Sequence, residues 1–236
     1  VDLSGADFSR KNLFRVALRD ACFRGADLTY TNFESANLQH CDFSDVTGHG
    51  VRFNFAQING CVFARATLDS ATFLQTEVCS SNFYNANLSL LCGNKSDWFE
   101  CGLSLSNLFG STLHGASLFK CHFAFANLSN MAADTLRLES TTFRECELSG
   151  VHWSAMDFVD CDFSGSKIDG GCVLLDAHSV VKIGPVGRSG RSRMIVLLDT
   201  ADGLRISDSK RFLGSVDEFR SFLGKDAEAS ASEFPA

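Results

Sequence analysis

The chain has 236 residues, of which 45% are hydrophobic and 21% are charged, and its formal net charge is −7. This composition is typical of a soluble, cytoplasmic-type protein, and the negative charge argues against direct binding of nucleic acid. The sequence contains no apolar run of 18 residues and no signal peptide, so it predicts neither a membrane span nor secretion. The length is sufficient for one extended domain and a second, small one.

From Leu3 to Val173 a large apolar residue stands at every fifth position. Of these 35 positions, only Gly48, Gly93 and Ala133 carry another kind of residue. A second series, mostly small residues, lies two positions before the first. A period of five matches neither the helical turn of 3.6 residues nor a long alternating strand. It predicts short strands that bury one large and one small side chain each, joined by corners in stacked coils.

Short motifs of a small residue, Asp or Asn, and a large apolar residue recur within this period. They include Ala6-Asp7-Phe8, Ala26-Asp27-Leu28, Ala36-Asn37-Leu38 and Cys161-Asp162-Phe163. These motifs resemble the signature of the pentapeptide-repeat family. The resemblance implies an all-β fold, a right-handed four-sided β-helix with twenty residues in each coil.

The twenty-residue coil can be tested within the sequence, because residues twenty apart should stack in columns of one type. One column is almost entirely Phe: Phe23, Phe43, Phe63, Phe83, Leu103, Phe123, Phe143 and Phe163. The next is almost entirely Leu, and six of the ten cysteines occupy the small inner positions, where Cys packs as a small hydrophobic residue. The sequence therefore predicts about 8.5 coils in a rod on the order of 40 Å long.

Three places depart from the usual sizes. Gly48 and Gly93 leave a large inner position empty, and either a tolerated packing variant, which is our main interpretation, or a functional kink with a bulge or an altered turn would account for each. At the third, Met131 is large where small is usual and Ala133 is small where large is usual, which indicates a volume-conserving exchange across one side.

The five-residue rhythm ends after Val173, so we predict a repeat domain over 1–173, a small β/α domain over 174–224 that caps the last coil, and a disordered polar tail over 225–236. Three short strands are predicted in the second domain, at Val180–Ile183, Met194–Asp199 and Leu204–Ser207, with a hairpin turn at Asp202-Gly203. Ser215 to Glu218 form a capping box that predicts a short helix. This segment resembles a small domain that follows the repeats in some phage and prophage proteins.

No group of residues in the sequence indicates catalysis, a cofactor or a metal site. There is no pair of cysteines with the spacing of zinc ligands. His49, between two glycines, is a candidate reactive side chain, but the sequence supplies no partner that would orient it. We therefore expect a protein that is not an enzyme.

The acidic charge lies in the repeats, where residues 1–173 carry 12 Lys and Arg against 19 Asp and Glu. Acidic residues crowd the last coils and form a candidate acidic face: Asp134, Glu139, Glu145, Glu147, Asp157, Asp160, Asp162 and Asp169. The family resemblance includes DNA mimics that engage type II topoisomerases such as DNA gyrase, and an acidic rod is compatible with that role. This is the alternative functional hypothesis.

The main hypothesis rests on apolar residues at positions that are usually polar. These candidate interface residues are Phe99, Leu105, Phe109, Phe119 and Phe125. The spacing of twenty residues places Phe99 beneath Phe119 and Leu105 beneath Phe125, on adjoining sides of the coil. The sequence therefore predicts a non-enzymatic protein-interaction scaffold. We expect it in the cytoplasm, or in the virion if it is a phage component. It should bind a protein partner or form a homo-oligomer, without direct contact with nucleic acid or membrane.

Overall fold

The computed structural model describes residues 1–154, 156–159, 161–163 and 166–167 in full, and beyond them the backbone of five further strands. Ten short strands belong to the fully described part: Ala17–Arg19 (β1), Asn37–Gln39 (β2), Gln57–Asn59 (β3), Glu77–Cys79 (β4), Asp97–Phe99 (β5), Ser117–Phe119 (β6), Ala132–Asp134 (β7), Arg137–Glu139 (β8), His152–Ser154 (β9) and Asp157–Val159 (β10). The remaining five are Val173–Leu175 (β11), Val181–Val186 (β12), Arg193–Thr200 (β13), Gly203–Ser207 (β14) and Leu213–Ser215 (β15).

The repeats wind into a solenoid in which the paired residues of successive coils, from Asp2 to Lys167, are twenty positions apart. We number the sides so that residues 1–5, 6–10, 11–15 and 16–20 of the first coil form sides 1, 2, 3 and 4. Side 4 is a parallel sheet of eight strands in the order β1-β2-β3-β4-β5-β6-β8-β10. On sides 1 and 2, and on most of side 3, the pairing is a single parallel bridge in each coil, such as Asp42 with Val62. The predicted four-sided solenoid is confirmed.

Every corner uses a backbone conformation that most residues avoid. Each fifth residue from position 5 to position 150 has a positive φ, between 46° and 67°, and 23 of these residues are not glycine. On three sides of the coil the corner is a hydrogen-bonded turn. In one of these turns the amide of Ala26 donates to the carbonyl of Phe23 (2.9 Å), and Gly25 has the left-handed conformation. A large side chain at such a position is strained, because its Cβ is crowded by the backbone.

The core consists of the predicted columns. On side 1 the rings of Phe43, Phe63 and Phe83 lie nearly parallel, with centroids 4.8 and 4.6 Å apart. The rings of the side-3 column meet them edge to face, as Phe53 does with Phe63 at 5.9 Å. All four side chains are fully buried. Stacking of identical rings on successive coils, with perpendicular rings beside them, is a favourable geometry for aromatic side chains.

The small inner positions carry hydrogen bonds as well as volume. A thiol or hydroxyl at this position donates to the carbonyl 23 residues earlier, on the preceding coil: Cys61 to Leu38 (3.5 Å), Thr76 to Phe53 (2.8 Å) and Ser111 to Leu88 (3.1 Å). Buried members of this series are Cys41, Cys61, Cys101, Cys121 and Cys146. Their role here is structural, because each ties two coils together.

Gly48 and Gly93 are packing variants of the repeat, and the structure shows no bulge at either residue. Pairing continues at intervals of twenty residues through both places, with Thr47 opposite Thr67 and Cys92 opposite Thr112. Neighbouring side chains fill the space instead. A Cβ at Gly48 would lie 2.7 Å from Val51 Cγ2, and one at Gly93 would lie 2.6 Å from Leu113 Cδ2.

The same compensation appears at two further places in the solenoid. On the side that follows Gly93 in the same coil, the indole of Trp98 lies 5.5 Å from the ring of Phe73 and donates to Ser96 Oγ (2.7 Å). Met131 and Ala133 are both buried, and Ala133 pairs with Trp153 of the next coil. Volume is therefore conserved within a layer of the core, not at each position.

The register changes at the last described strand of the solenoid. β11 pairs with β9, but Val173 lies opposite His152 and Leu174 opposite Trp153, a spacing of 21 residues. The spacing of twenty therefore ends before β11, and the inward orientation of Val173 stays a prediction. The domain boundary placed at 173 stays a prediction.

The last four strands form an antiparallel sheet in the order β12-β13-β14-β15. Thr200 pairs with Gly203, so β13 and β14 form the hairpin that the sequence predicted. The fourth strand, Leu213–Ser215, was not predicted, and it includes Ser215, which we had placed at the start of a helix. The predicted helix and tail lie outside the described residues.

Candidate protein-interaction surface

Phe99 and Phe119 form an aromatic stack on the surface, at the corner between sides 4 and 1. Their ring centroids are 4.9 Å apart, the planes differ by 8°, and Phe99 is 40% exposed. The two rings meet because β5 and β6 pair with Phe99 directly opposite Phe119. Lys120 lies over the Phe119 ring at 5.0 Å and forms an ion pair with Glu100 (3.7 Å).

Leu105 and Phe125 occupy the opposite corner of the same side. They are twenty residues apart, so they lie one above the other on successive coils, and they are 45% and 61% exposed. Between the two corners lies Gly102, which has no side chain. The nearest atom to a Cβ added there would be Asn82 Oδ1, 3.6 Å away. We call Phe99, Leu105, Phe119 and Phe125 the side-1 patch.

Phe109, the fifth predicted interface residue, lies apart from this patch. It belongs to the corner between sides 2 and 3, where the amide of Leu90 donates to its carbonyl (2.8 Å). A ladder of amide hydrogen bonds from Asn127 to Asn107 and from Asn107 to Asn87, both 3.1 Å, separates it from side 1. Other exposed apolar side chains were not singled out from the sequence: Phe14, Tyr30, Phe55, Tyr84 and Leu90.

Two members of the patch are at strained corner positions. Leu105 has φ 61° and Phe125 has φ 60°. A bulky side chain in this conformation costs on the order of 1–2 kcal/mol relative to one in the ordinary region. Because these side chains also remain largely in water, neither burial nor backbone geometry explains their presence.

Two carboxylates lie directly opposite each other beside the aromatic stack. Glu77 pairs with Asp97 in the ladder of side 4, and Asp97 is two residues from Phe99 on the same outward face. Both are exposed. Burial raises the pKa of the Cys79 thiol, and the neighbouring Cys101 and the carboxylates of Glu77, Asp97 and Glu100 raise it further.

The candidate acidic residues of the last coils do not share one side. Asp157 lies on side 4, Asp162 on side 1 and Glu147 on side 2, while Asp134 is at the corner between sides 3 and 4. Glu139 and Glu145 are exposed at the two corners of side 1. Asp160 and Asp169 lie outside the described residues. The described members therefore form no single acidic surface.

Three of these carboxylates also contact basic groups. Arg144 Nε is 3.0 Å from Asp162, Lys167 Nζ is 3.6 Å from Glu147, and His114 Nδ1 is 2.7 Å from Asp134. Each pair joins side chains about one coil apart. Basic side chains on neighbouring coils therefore offset part of the negative charge of the last coils.

The structure provides the partner of His49 that the sequence did not reveal. Its Nδ1 contacts Asp69 Oδ2, and its ring meets Tyr30 edge to face at 5.3 Å. Asp69 is twenty residues after His49, so the column arithmetic applied to charged residues would have found this pair. Within the described residues no group of His, Cys, Asp and Glu could hold a metal ion. No helix among them is long and apolar enough to span a membrane.

A coil of four sides with one large and one small inward residue on each side defines the class of parallel β-solenoid proteins. Residues 1–73 match the family model described as a pentapeptide repeat region. The same repeat and the same twenty-residue pairing continue beyond residue 73 as far as Lys167, so the described solenoid has the fold of a pentapeptide-repeat β-helix beyond the matched residues as well. No curated protein sequence matches the chain significantly.

Solved structures of the same kind are similar to the chain at low identity. HetL, involved in heterocyst differentiation regulation in the cyanobacterium Nostoc sp. strain PCC 7120, is 20% identical over 73% of this chain and 91% of its own, with a TM-score of 0.36. A pentapeptide repeat protein of the Arabidopsis thaliana thylakoid lumen is 35% identical over 36% and 63%, with a TM-score of 0.30. QnrB1, a plasmid-mediated fluoroquinolone resistance protein, is 18% identical over 66% and 92%, with a TM-score of 0.34. The identification rests on the repeat and on the family model.

Proposed function

We propose that the chain is a non-enzymatic protein-interaction scaffold that binds a protein partner through the side-1 patch. The observation that carries the proposal is that two large apolar side chains, Leu105 and Phe125, are exposed one above the other at the same corner of successive coils. The Phe99–Phe119 stack on the opposite corner extends the apolar surface over two coils. Exposed aromatic side chains held by a rigid backbone are typical of the centre of protein interfaces.

The experiment is selection of binding peptides from a displayed random library, with the wild-type chain and Phe119→Ser as baits. The chain offers a matched control in Phe14→Ser: Phe14 is at the same position of its repeat, and Arg15 lies over its ring at 4.9 Å as Lys120 does over Phe119. We expect peptides that bind the wild type and Phe14→Ser but lose at least tenfold in affinity for Phe119→Ser. Binding that is equal for all three proteins contradicts the proposal.

Stability measurements on the same variants separate a role in binding from a role in packing. Phe119 is partly exposed, so its replacement by Ser should change the free energy of unfolding by about 1 kcal/mol or less. A much larger loss, with unchanged peptide binding, places the residue in the core of the fold.

A more specific form of this proposal is a structural or binding role in a phage or prophage particle. It is supported by the resemblance of the segment from Lys182 to Phe219 to a domain of phage proteins. A defined homo-oligomer in light scattering that is lost in Phe119→Ser supports this form, and a monomer at all concentrations argues against a self-assembled particle component.

The second candidate function is a DNA mimic that binds a type II topoisomerase such as DNA gyrase. The observation in its favour is the excess of seven negative charges in residues 1–173, from 19 acidic against 12 basic residues. The distribution of the acidic side chains over all four sides weakens it, because a DNA mimic requires rows of charge along one surface. A supercoiling and relaxation assay with purified gyrase, with and without a quinolone, tests it: inhibition or drug protection supports mimicry, and no effect contradicts it.

A further inference from the structure

The stacked pair Glu77 and Asp97 is an arrangement that the fold does not require. Carboxylates directly opposite each other on neighbouring strands repel. In the same column the neighbouring coils carry Gln57 and Ser117, both neutral, and Gln57 Nε2 donates to Glu77 at 3.5 Å. No Lys or Arg in the described part of the chain forms a salt bridge with either carboxylate.

This acidic pair is continuous with the aromatic stack of the side-1 patch. Asp97 and Phe99 project from the same face of one strand, and Phe119 lies directly opposite Phe99 on the next. Glu139 follows Phe119 in the same column, where β6 pairs with β8. The stack therefore has the acidic pair on one flank and Glu139 directly above it. Beside the stack, Lys120 forms its ion pair with Glu100 and is not paired with Asp97 or Glu77.

We propose that the Phe99–Phe119 stack binds a partner segment that carries Lys or Arg next to an apolar side chain. The inference rests on the proposed function, since it names the chemistry of the partner at the same patch. The apolar side chain packs on the aromatic rings, and the cation lies between Asp97 and Glu77, where it removes their mutual repulsion. Charge complementarity of this kind favours encounter with basic partners and disfavours acidic ones.

A second copy of this chain fits the surface less well. An aromatic side chain presents about 200 Å² when fully exposed, and three members of the patch are 40 to 61% exposed while Phe119 is less so, which gives about 350 Å² in total. A stable protein interface covers about 800 Å² on each partner. Two copies that met through this patch would also bring two sets of carboxylates together.

Binding of three synthetic peptides to the full chain, measured by fluorescence anisotropy, tests the inference. The first is Lys-Leu-Lys-Trp-Lys-Leu-Lys, the second replaces each Lys by Glu, and the third replaces each apolar residue by Ser. We expect the first to bind at least tenfold more tightly than the other two. Its affinity should fall as salt is raised, because screening weakens contacts with exposed charges.

Two variants locate the cation, and one serves as the control. Asp97→Asn and Glu77→Gln should each weaken binding of the first peptide about threefold, as loss of one exposed ion pair does. Asp20→Asn, at an exposed carboxylate on the first coil, should leave it unchanged. Asp97→Asn should also keep or raise the thermal midpoint, since it removes a repulsion.

The outcomes separate this inference from the proposed function. If the Lys and Glu peptides bind equally and Phe119→Ser abolishes both, the patch is an interface and the cationic partner is wrong. If the Ser-containing peptide binds as well as the first and Phe119→Ser has no effect, the patch is not an interface and both proposals are wrong. A lower thermal midpoint in Asp97→Asn with unchanged binding shows a structural role for this carboxylate and also overturns the inference.

Discussion

Gly48→Ala is the sharpest test of the way in which the core compensates for an empty position. An added Cβ would lie 2.7 Å from Val51 Cγ2 and 3.0 Å from Leu68 Cδ2, and both side chains are fully buried. These distances are shorter than van der Waals contact, so the side chains must move within a packed layer. Overpacking of this kind costs about 1–3 kcal/mol of the free energy of unfolding.

The reasoning predicts rescue by a second substitution. Val51→Ala removes the methyl group that blocks the new Cβ, and alone it should cost about 2 kcal/mol for the cavity it leaves. In the double variant the Cβ introduced at position 48 occupies part of that cavity, so the two costs should not add. We expect the double variant to be about 1–2 kcal/mol more stable than the sum of the single effects implies.

Urea unfolding followed by far-ultraviolet circular dichroism measures these values, with Gly102→Ala as the control. Gly102 also lies in a paired ladder, opposite His122, but a Cβ there has open space, with its nearest neighbour 3.6 Å away. We therefore expect Gly102→Ala to be neutral or slightly stabilising. Additive effects of Gly48→Ala and Val51→Ala, or no effect of Gly48→Ala, refute the idea that volume is conserved within a layer.

Three further predictions concern the core and the titrating groups. Phe63→Asp should cost at least about 4 kcal/mol, because it places an unpaired charge between two stacked rings, and an unchanged urea midpoint would contradict the Phe column. Hydrogen bonds from Arg65 (2.7 and 2.8 Å) lower the pKa of Asp45 below 3.8. This contact therefore stabilises the fold above about pH 4, and the stabilisation is lost as the pH falls through the lowered pKa. In an NMR titration, Arg65→Gln should return the pKa of Asp45 toward 3.8. Burial raises the pKa of the Cys146 thiol to about 12, so it should resist alkylation at pH 8 until the chain unfolds, and rapid labelling of the folded chain would show it to be accessible.

The fold could be predicted because a solenoid repeats one local rule. The period of five identifies the inward residues, and the spacing of twenty identifies which of them touch, as the stacked Phe43, Phe63 and Phe83 show. The corrections arise where one position depends on another. Nothing at Gly48 alone shows that Val51 fills its space, so the sequence leaves a packing variant and a bulge both open.

The surface was less predictable than the core for a related reason. Column arithmetic correctly stacked Phe99 with Phe119, yet the same spacing also joins Glu77 to Asp97 and His49 to Asp69. The spacing of twenty identifies these polar pairs as directly as it identifies the stacked rings. Which corner each residue occupies follows from its place within the coil, and this is what separates Phe109 from the other four interface residues.

The side-1 patch and the acidic pair beside it are two independent departures from what the repeat requires. In a solenoid each coil contacts only its neighbours, so the strain at Leu105 and Phe125 and the repulsion between Glu77 and Asp97 are local costs that no distant contact offsets. Polar or glycine residues occupy the corners equivalent to Leu105 in other coils, such as residues 25 and 85. Because the two costs lie on adjoining sides of successive coils, from the coil of Glu77 to the coil of Phe125, a common cause is the simpler explanation. A partner that covers the apolar side chains and neutralises the carboxylates removes both.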